Sequence, residues 1–199
     1  GRVRPGSYPL APSSYVFVND GKGTFSDQTQ TLAPQLSEIG MLTDAEWTDT
    51  DKDGKPDLVL AGEWMPITIL RNKGGSFPKD LTISIPNSSG WWHSLHIADM
   101  DKDGDEDIIL GNQGINTQYE VSENKPVSIW VHDFDGDGSL DPIISYYLGD
   151  KSYPMLPRDD LLSHMPSLKK QFTSYTAYAN ATVESMFDEK SRSAAQVLQ

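Results

Sequence analysis

Short runs of alternating polar and apolar residues cover most of the chain and are separated by turn-rich segments. The alternation is clear over 94–97 and 127–132, and a period of two predicts half-buried strands. Short β-prone runs at 58–61, 108–111 and 142–145 also have the length and composition of strands. The pattern therefore predicts an all-β chain.

An acidic motif, D-x-D-x-D-G-x-x-D, lies between neighbouring strands in three copies that begin at Asp49, Asp99 and Asp133. Its carboxylates at positions 1, 3, 5 and 9 can face one centre if the loop curls at the position-6 glycine, and the position-7 carbonyl can join them. Oxygen ligands of this number suit a hard cation with flexible coordination, which indicates up to three structural Ca²⁺ ions. The candidate carboxylate ligands are Asp49, Asp51, Asp53 and Asp57, then Asp99, Asp101, Asp103 and Asp107, then Asp133, Asp135, Asp137 and Asp141. The candidate carbonyls belong to Lys55, Asp105 and Ser139.

Two other interpretations of the motif have to be weighed. Aspartate and glycine are also common in solvated turns, so a single copy would be poor evidence for a metal. An EF-hand is excluded because it needs flanking helices and a glutamate at position 12, where this chain has Leu60, Leu110 and Ile144. Each unit is therefore predicted as strand, calcium loop, strand.

A longer repeat surrounds the acidic loops. The turn Asn19–Phe25 recurs in looser form as Asn72–Phe77, each after an apolar alternating run. A full unit has about 50 residues and about four strands, which is the size of a propeller blade. With its three aspartate loops, the chain resembles the FG-GAP/VCBS repeat family. The segments 1–9, 62–66 and 111–118 resemble bacterial relatives of cartilage acidic protein that are associated with an ASPIC/UnbV domain.

The resemblance implies a β-propeller with calcium in its blades and an extracellular, cell-surface or periplasmic setting in bacteria. About three to four blades of four-stranded antiparallel sheet are expected over 1–156, as a partial propeller within a larger protein. A short α-helical C-terminal segment is expected to pack on the blades over 157–190, followed by a frayed tail over 191–199. Within that segment a helix is predicted near 158–165, and Ser174 is predicted to cap a longer one. The apolar face of that longer helix would either pack on a blade or bind a partner.

Composition limits the partners. The net charge of −13 disfavours binding to nucleic acid, and the absence of cysteine excludes disulfides and thiolate metal sites. No apolar run reaches the length of a membrane helix, so no membrane insertion is expected in this segment.

The leading functional hypothesis is a non-enzymatic calcium-binding scaffold that serves binding or adhesion, with an unknown protein or glycan as its ligand. A glycan-binding module, or a non-catalytic part of a carbohydrate-processing protein, is an alternative because Trp64, Trp91 and Trp92 could stack on a sugar face. A metal-dependent hydrolase is a third, since paired aspartates can hold a catalytic ion. No familiar catalytic motif is found, so no catalytic residue is assigned.

Overall fold

The computed structural model of the protein describes residues 1–114, 117, 119 and 121–199. Three residues of the 111–118 segment that carried part of the family resemblance, at 115, 116 and 118, lie outside the described residues. The chain divides into two compact units, Gly1–Gly114 and Ile115–Gln199. Both contain antiparallel sheets and short helices, so the predicted class, a partial propeller-like all-β fragment with short helices, is confirmed.

Eight strands are described in the Gly1–Gly114 unit. They are β1 (Phe17–Asn19), β2 (Phe25–Asp27), β3 (Met41–Thr48), β4 (Asp57–Met65), β5 (Thr68–Leu70), β6 (Thr82–Ser84), β7 (Gly90–Ala98) and β8 (Asp107–Asn112). The short helix α1 (Thr29–Leu32) and 3₁₀ turns at Pro34–Ser37 and Lys79–Leu81 connect them. Strands β1 and β2 form a hairpin around the Asn19–Phe25 turn, as the sequence predicts.

Strand β4 is the centre of this unit. It pairs with β3 along one edge and with β5 along the other, and β6 lies outside β5, so β3–β6 form a four-stranded antiparallel blade. Both faces of β4 are covered. Leu58 and Leu60 pack with Phe77 on one side, whereas Val59 packs with Leu95 on the other. Two-sided burial explains why this strand is almost continuously apolar instead of alternating.

Strand β7 pairs with β8 on one side, and on its other side Gly90 and Trp91 pair with the end of β4. Side chains of β3 cover the rest of that edge. Asp44 Oδ2 accepts the Leu95 N–H at 2.9 Å, and Glu46 Oε2 accepts the Ile97 N–H at 3.1 Å. Unpaired N–H groups on a strand edge would otherwise invite pairing with another chain. The acidic residues of β3 therefore join it to the next hairpin.

The Ile115–Gln199 unit contains β9 (Ser128–His132), β10 (Asp141–Leu148), β11 (Lys151–Pro154) and β12 (Gln196–Leu198), in the sheet order β11-β10-β9-β12. Its helices are α2 (Arg158–His164), α3 (Tyr175–Tyr178), α4 (Val183–Met186) and α5 (Glu189–Ala194), with a 3₁₀ turn at Pro166–Lys170. Ile143 of β10 shares one apolar cluster with residues from α2 and α4, among them Leu161 and Val183. No helix in the described part of the chain is long and apolar enough to cross a bilayer.

Two expectations for the C-terminal region need correction. The single longer helix after Ser174 is instead two short helices, because Thr182 begins α4 with a capping box, in which its side chain accepts the Ser185 N–H. Ser174 does cap α3, as predicted. The tail 191–199, expected to be frayed, contains the end of α5 and then β12, which pairs with β9 from Gln196 to Leu198. A free edge on β9 provided the partner, and the sequence alone does not show it.

Candidate metal centre

Each acidic motif forms the loop between two antiparallel strands, β3–β4, β7–β8 and β9–β10, which confirms the predicted strand–loop–strand units. The position-6 glycines adopt the left-handed region, with φ values of 85°, 95° and 91° for Gly54, Gly104 and Gly138. That backbone conformation favours glycine, which explains the residue type at this position.

One hydrogen-bond pattern recurs in all three loops. The loops are numbered 1 (49–57), 2 (99–107) and 3 (133–141). The position-1 carboxylate accepts the position-6 N–H at 2.7, 3.1 and 3.0 Å in loops 1, 2 and 3. The position-3 carboxylate accepts the position-5 N–H at 3.2 or 3.3 Å. The position-5 carboxylate accepts the position-7 N–H at 2.7–2.9 Å. The position-9 carboxylate reaches back to the N–H of position 2 at 2.8–3.2 Å. The backbone of each loop therefore holds all four aspartates in place.

Three carboxylates converge in every loop, with one oxygen from each lying within 4.8 Å of the others. Calcium–oxygen distances are about 2.3–2.6 Å, so ligands on opposite sides of the ion lie about 5 Å apart. The oxygen-only donor set and its spacing fit a hard divalent cation. The groups are Asp49, Asp51 and Asp53 in loop 1, Asp99, Asp101 and Asp107 in loop 2, and Asp133, Asp135 and Asp141 in loop 3.

Residues 49–110 match the family model of the FG-GAP-like repeat. The match spans loops 1 and 2, strands β4 to β7 and most of β8, and it supports the FG-GAP part of the resemblance. The relationship to ASPIC/UnbV-associated proteins stays a prediction. Comparison with curated proteins and with solved structures gives no match.

In each loop, one predicted carboxylate ligand lies outside the converging group: Asp57, Asp103 and Asp137. Asp57 is 1% exposed, and both of its oxygens already have partners. Its Oδ1 accepts the Asn72 N–H at 2.8 Å, and its Oδ2 accepts the N–H and the hydroxyl of Thr50. Asp57 therefore joins loop 1 to the end of β5, an arrangement that depends on strand pairing.

The surroundings of the loops differ in charge. Arg71, directly after β5, pairs with Asp51, and its Nε lies 3.7 Å from Asp57 Oδ2. Lys55 Nζ lies 2.8 Å from Asp53 Oδ2, and this hydrogen bond lowers the pKa of Asp53. In loop 3, burial raises the pKa of Asp141, to which the charges of neighbouring aspartates add. Arg71 is the residue of this region that the sequence analysis missed.

Contacts also join loops 1 and 2, which belong to the same unit. Lys52 pairs with the side chain of Asp105, and the Thr48 hydroxyl donates to Glu106. Lys55, Asp105 and Ser139 are the position-7 residues whose carbonyl oxygens the sequence predicts as metal ligands. In each loop the backbone N–H of this residue donates to the position-5 carboxylate. The side chain of Asp105 is therefore engaged outside the converging group.

The three candidate sugar-binding tryptophans lie near the other end of β4, since Trp64 follows Asp57 by about 23 Å of extended strand. Trp64 is only 7% exposed, and its Nε1 donates to the Tyr8 hydroxyl at 2.6 Å. Its ring packs 5.0 Å from that of Trp91, and Trp92 Nε1 donates to Ser88 O at 2.8 Å. Trp64 is therefore a packing residue, whereas Trp91 and Trp92 are half-buried.

An open cleft of about 510 Å³ lies in the same unit and was not foreseen from the sequence. It is lined in part by the exposed rings of Tyr15, Phe17 and Trp47 together with Asp44. No motif marks this cleft, because it forms where the N-terminal segment passes β3.

Proposed function

We propose that this chain is a calcium-stabilised, non-enzymatic propeller segment of a larger extracellular, cell-surface or periplasmic protein, in which it serves as a binding or adhesion scaffold. One observation carries the proposal. Three loops far apart in sequence repeat the same hydrogen-bond pattern, and each brings three carboxylates within 4.8 Å of one another.

The loops need a counter-charge. Carboxylates held this close repel one another, and the backbone N–H donors offset only part of that repulsion. A bound Ca²⁺ would supply the missing positive charge and fix the loop between its two strands. The converging aspartates would hold the ion, and the left-handed glycine at position 6 keeps the loop in that shape.

The repetition of the loops favours a structural role over catalysis. Each loop joins two strands of a blade in the same way, as expected if the metal stabilises the repeat unit. The match to an FG-GAP-like repeat supports a surface or extracellular setting, where calcium sites with dissociation constants of about 10⁻⁴–10⁻³ M are occupied. The scaffold's proposed ligand is a protein or a glycan.

Thermal unfolding with calcium and with a chelator tests the proposal, with metal content counted on the same sample. We expect two to three Ca²⁺ per chain and a clear drop in Tm with the chelator, since a ligand at about 100 times its Kd adds about 2.7 kcal/mol per site. The variant Asp135→Asn should bind one ion fewer. Asp80→Asn, an exposed aspartate outside the loops, is the matched control and should bind the full number. No bound metal and no shift in Tm would mean that the loops are plain acidic turns.

A further inference from the structure

We propose that Arg71 is a built-in counter-cation of loop 1, which makes this loop the weakest of the three calcium sites and keeps it folded without calcium. The proposal rests on the calcium function proposed above and adds a difference between loops that share one motif.

The position of Arg71 follows from strand pairing. Leu58 of β4 pairs with Leu70 of β5, so the next residue along β5 lies beside Asp57. The Arg71 guanidinium pairs with Asp51 through Nη1, and its Nε is buried 3.7 Å from Asp57 Oδ2. A guanidinium does not lose its proton in proteins, so the positive charge at this site is permanent.

Lys55 adds a second cation to the same loop, because its ammonium group lies 2.8 Å from Asp53 Oδ2. Three of the four motif carboxylates of loop 1 therefore have a basic partner. Arg71 contributes the more constrained charge, since three quarters of its side chain is buried, whereas the Lys55 side chain is about half exposed.

Loops 2 and 3 have less compensation. Across residues 1–114, 117, 119 and 121–199, no lysine or arginine pairs with the motif carboxylates at positions 1, 3, 5 and 9 of either loop. Lys52, whose side chain is 71% exposed, pairs with the position-7 side chain of loop 2, Asp105, and its charge also acts on Asp103 at position 5. The first arginine after loop 3, Arg158, instead donates to Phe172 O and pairs with Asp159.

This difference in charge has two consequences. A divalent ion in loop 1 would lie near a fixed positive charge that shares Asp51 with it, and the repulsion lowers the affinity of loop 1. Without calcium, the carboxylates of loop 1 are already partly neutralised, so its backbone hydrogen bonds persist. Loops 2 and 3 depend on the ion for the same stabilisation.

Calcium titration calorimetry of the whole chain tests the first consequence. We expect two tighter sites and one weaker site. Asp51→Asn should remove the weaker site, and Asp135→Asn should remove a tighter one. Loss of a tight site in Asp51→Asn, with the weak site retained, would overturn the proposal.

The variant Arg71→Met removes the charge while keeping a long side chain. It should strengthen the weakest site on the order of tenfold and leave the other two unchanged. Lys22→Met is the matched control, because it removes the same charge from an exposed residue in the β1–β2 turn, outside the acidic loops, and should change none of the three affinities.

Hydrogen exchange on the unmodified chain provides a test that does not depend on the folding of Arg71→Met. In excess chelator, the amides of 49–57 should exchange more slowly than those of 133–141, and calcium should slow the second segment more than the first. Equal protection of both segments in chelator would overturn the proposal.

The outcomes separate this inference from the function on which it rests. If no loop binds calcium, the proposed function fails and this inference fails with it. If calcium binds to three equal sites, or if Arg71→Met leaves all affinities unchanged, only the inference about Arg71 fails.

Discussion

The substitution Asp57→Ala should be the most damaging single change in the acidic loops, and the reason is independent of calcium. Asp57 is 1% exposed and accepts two backbone N–H groups, from Thr50 and Asn72, as well as the Thr50 hydroxyl. The Arg71 guanidinium lies beside it. Alanine would leave these three donors without their acceptor, and Arg71 would keep only its ion pair with Asp51.

The magnitude follows from burial. A buried donor that loses its acceptor costs about 1–3 kcal/mol, so the loss of the acceptor of three donors should cost about 3–5 kcal/mol in total. Asp107→Ala is the matched control, since it changes the same motif position in loop 2. Asp107 is exposed and accepts the Met100 N–H at 2.9 Å, so its loss should cost only about 1 kcal/mol.

Urea unfolding in the presence of a chelator measures the difference. Tryptophan fluorescence suits this assay because Trp47, Trp64, Trp91 and Trp92, four of the five tryptophans, lie in the Gly1–Gly114 unit. We expect a much lower midpoint for Asp57→Ala at an unchanged slope. If the two variants lost the same stability, burial of Asp57 would not be the cause, and the reasoning would be refuted.

Three further predictions concern parts of the fold outside the acidic loops. Glu46→Ala should lower the free energy of unfolding by about 1–3 kcal/mol, because the Ile97 N–H loses its acceptor. Urea unfolding measures this change, and a loss under about 0.3 kcal/mol would contradict the prediction. Burial raises the pKa of Tyr8 to about 12, so the stability linked to its neutral phenol is present below pH 10 and lost as the pH rises through 12. An ultraviolet titration of tyrosine ionisation should show one ionisation step near pH 12 fewer in Tyr8→Phe than in the unmodified chain. Loss of a step near pH 10 instead would argue against burial of Tyr8. Truncation after Ala195 removes β12 and exposes the edge of β9, so Tm should fall and aggregation should increase. Calorimetry measures the Tm of the truncated chain and light scattering its aggregation. No change in either would mean that β12 is dispensable.

Local features of the chain were predictable from the sequence. The three loops could be identified because a turn with aspartates at alternate positions and glycine at position 6 is built from hydrogen bonds between near neighbours. The flanking strands followed from periodicity, and the cap at Ser174 from residue type. Each of these features depends on residues only a few positions apart, so the sequence contains the whole cause.

Features that join distant residues could not be predicted in this way. The pairing of β12 with β9 reflects which strand edge the fold left uncovered. Burial of Trp64 depends on the N-terminal segment, which supplies Tyr8. A pattern of aromatic residues does not distinguish such packing from an exposed sugar platform.

The same division holds inside the candidate metal centre. The spacing of the aspartates by itself determined that three loops would each gather carboxylates around one point, since the short loop and its backbone donors leave little alternative. Only the tertiary structure decided that the loops differ, because the register of β4 with β5 brings Arg71 to Asp51 and Asp57 from outside the motif. The charge around a site depends on every element packed beside it, whereas a motif records only the residues within it.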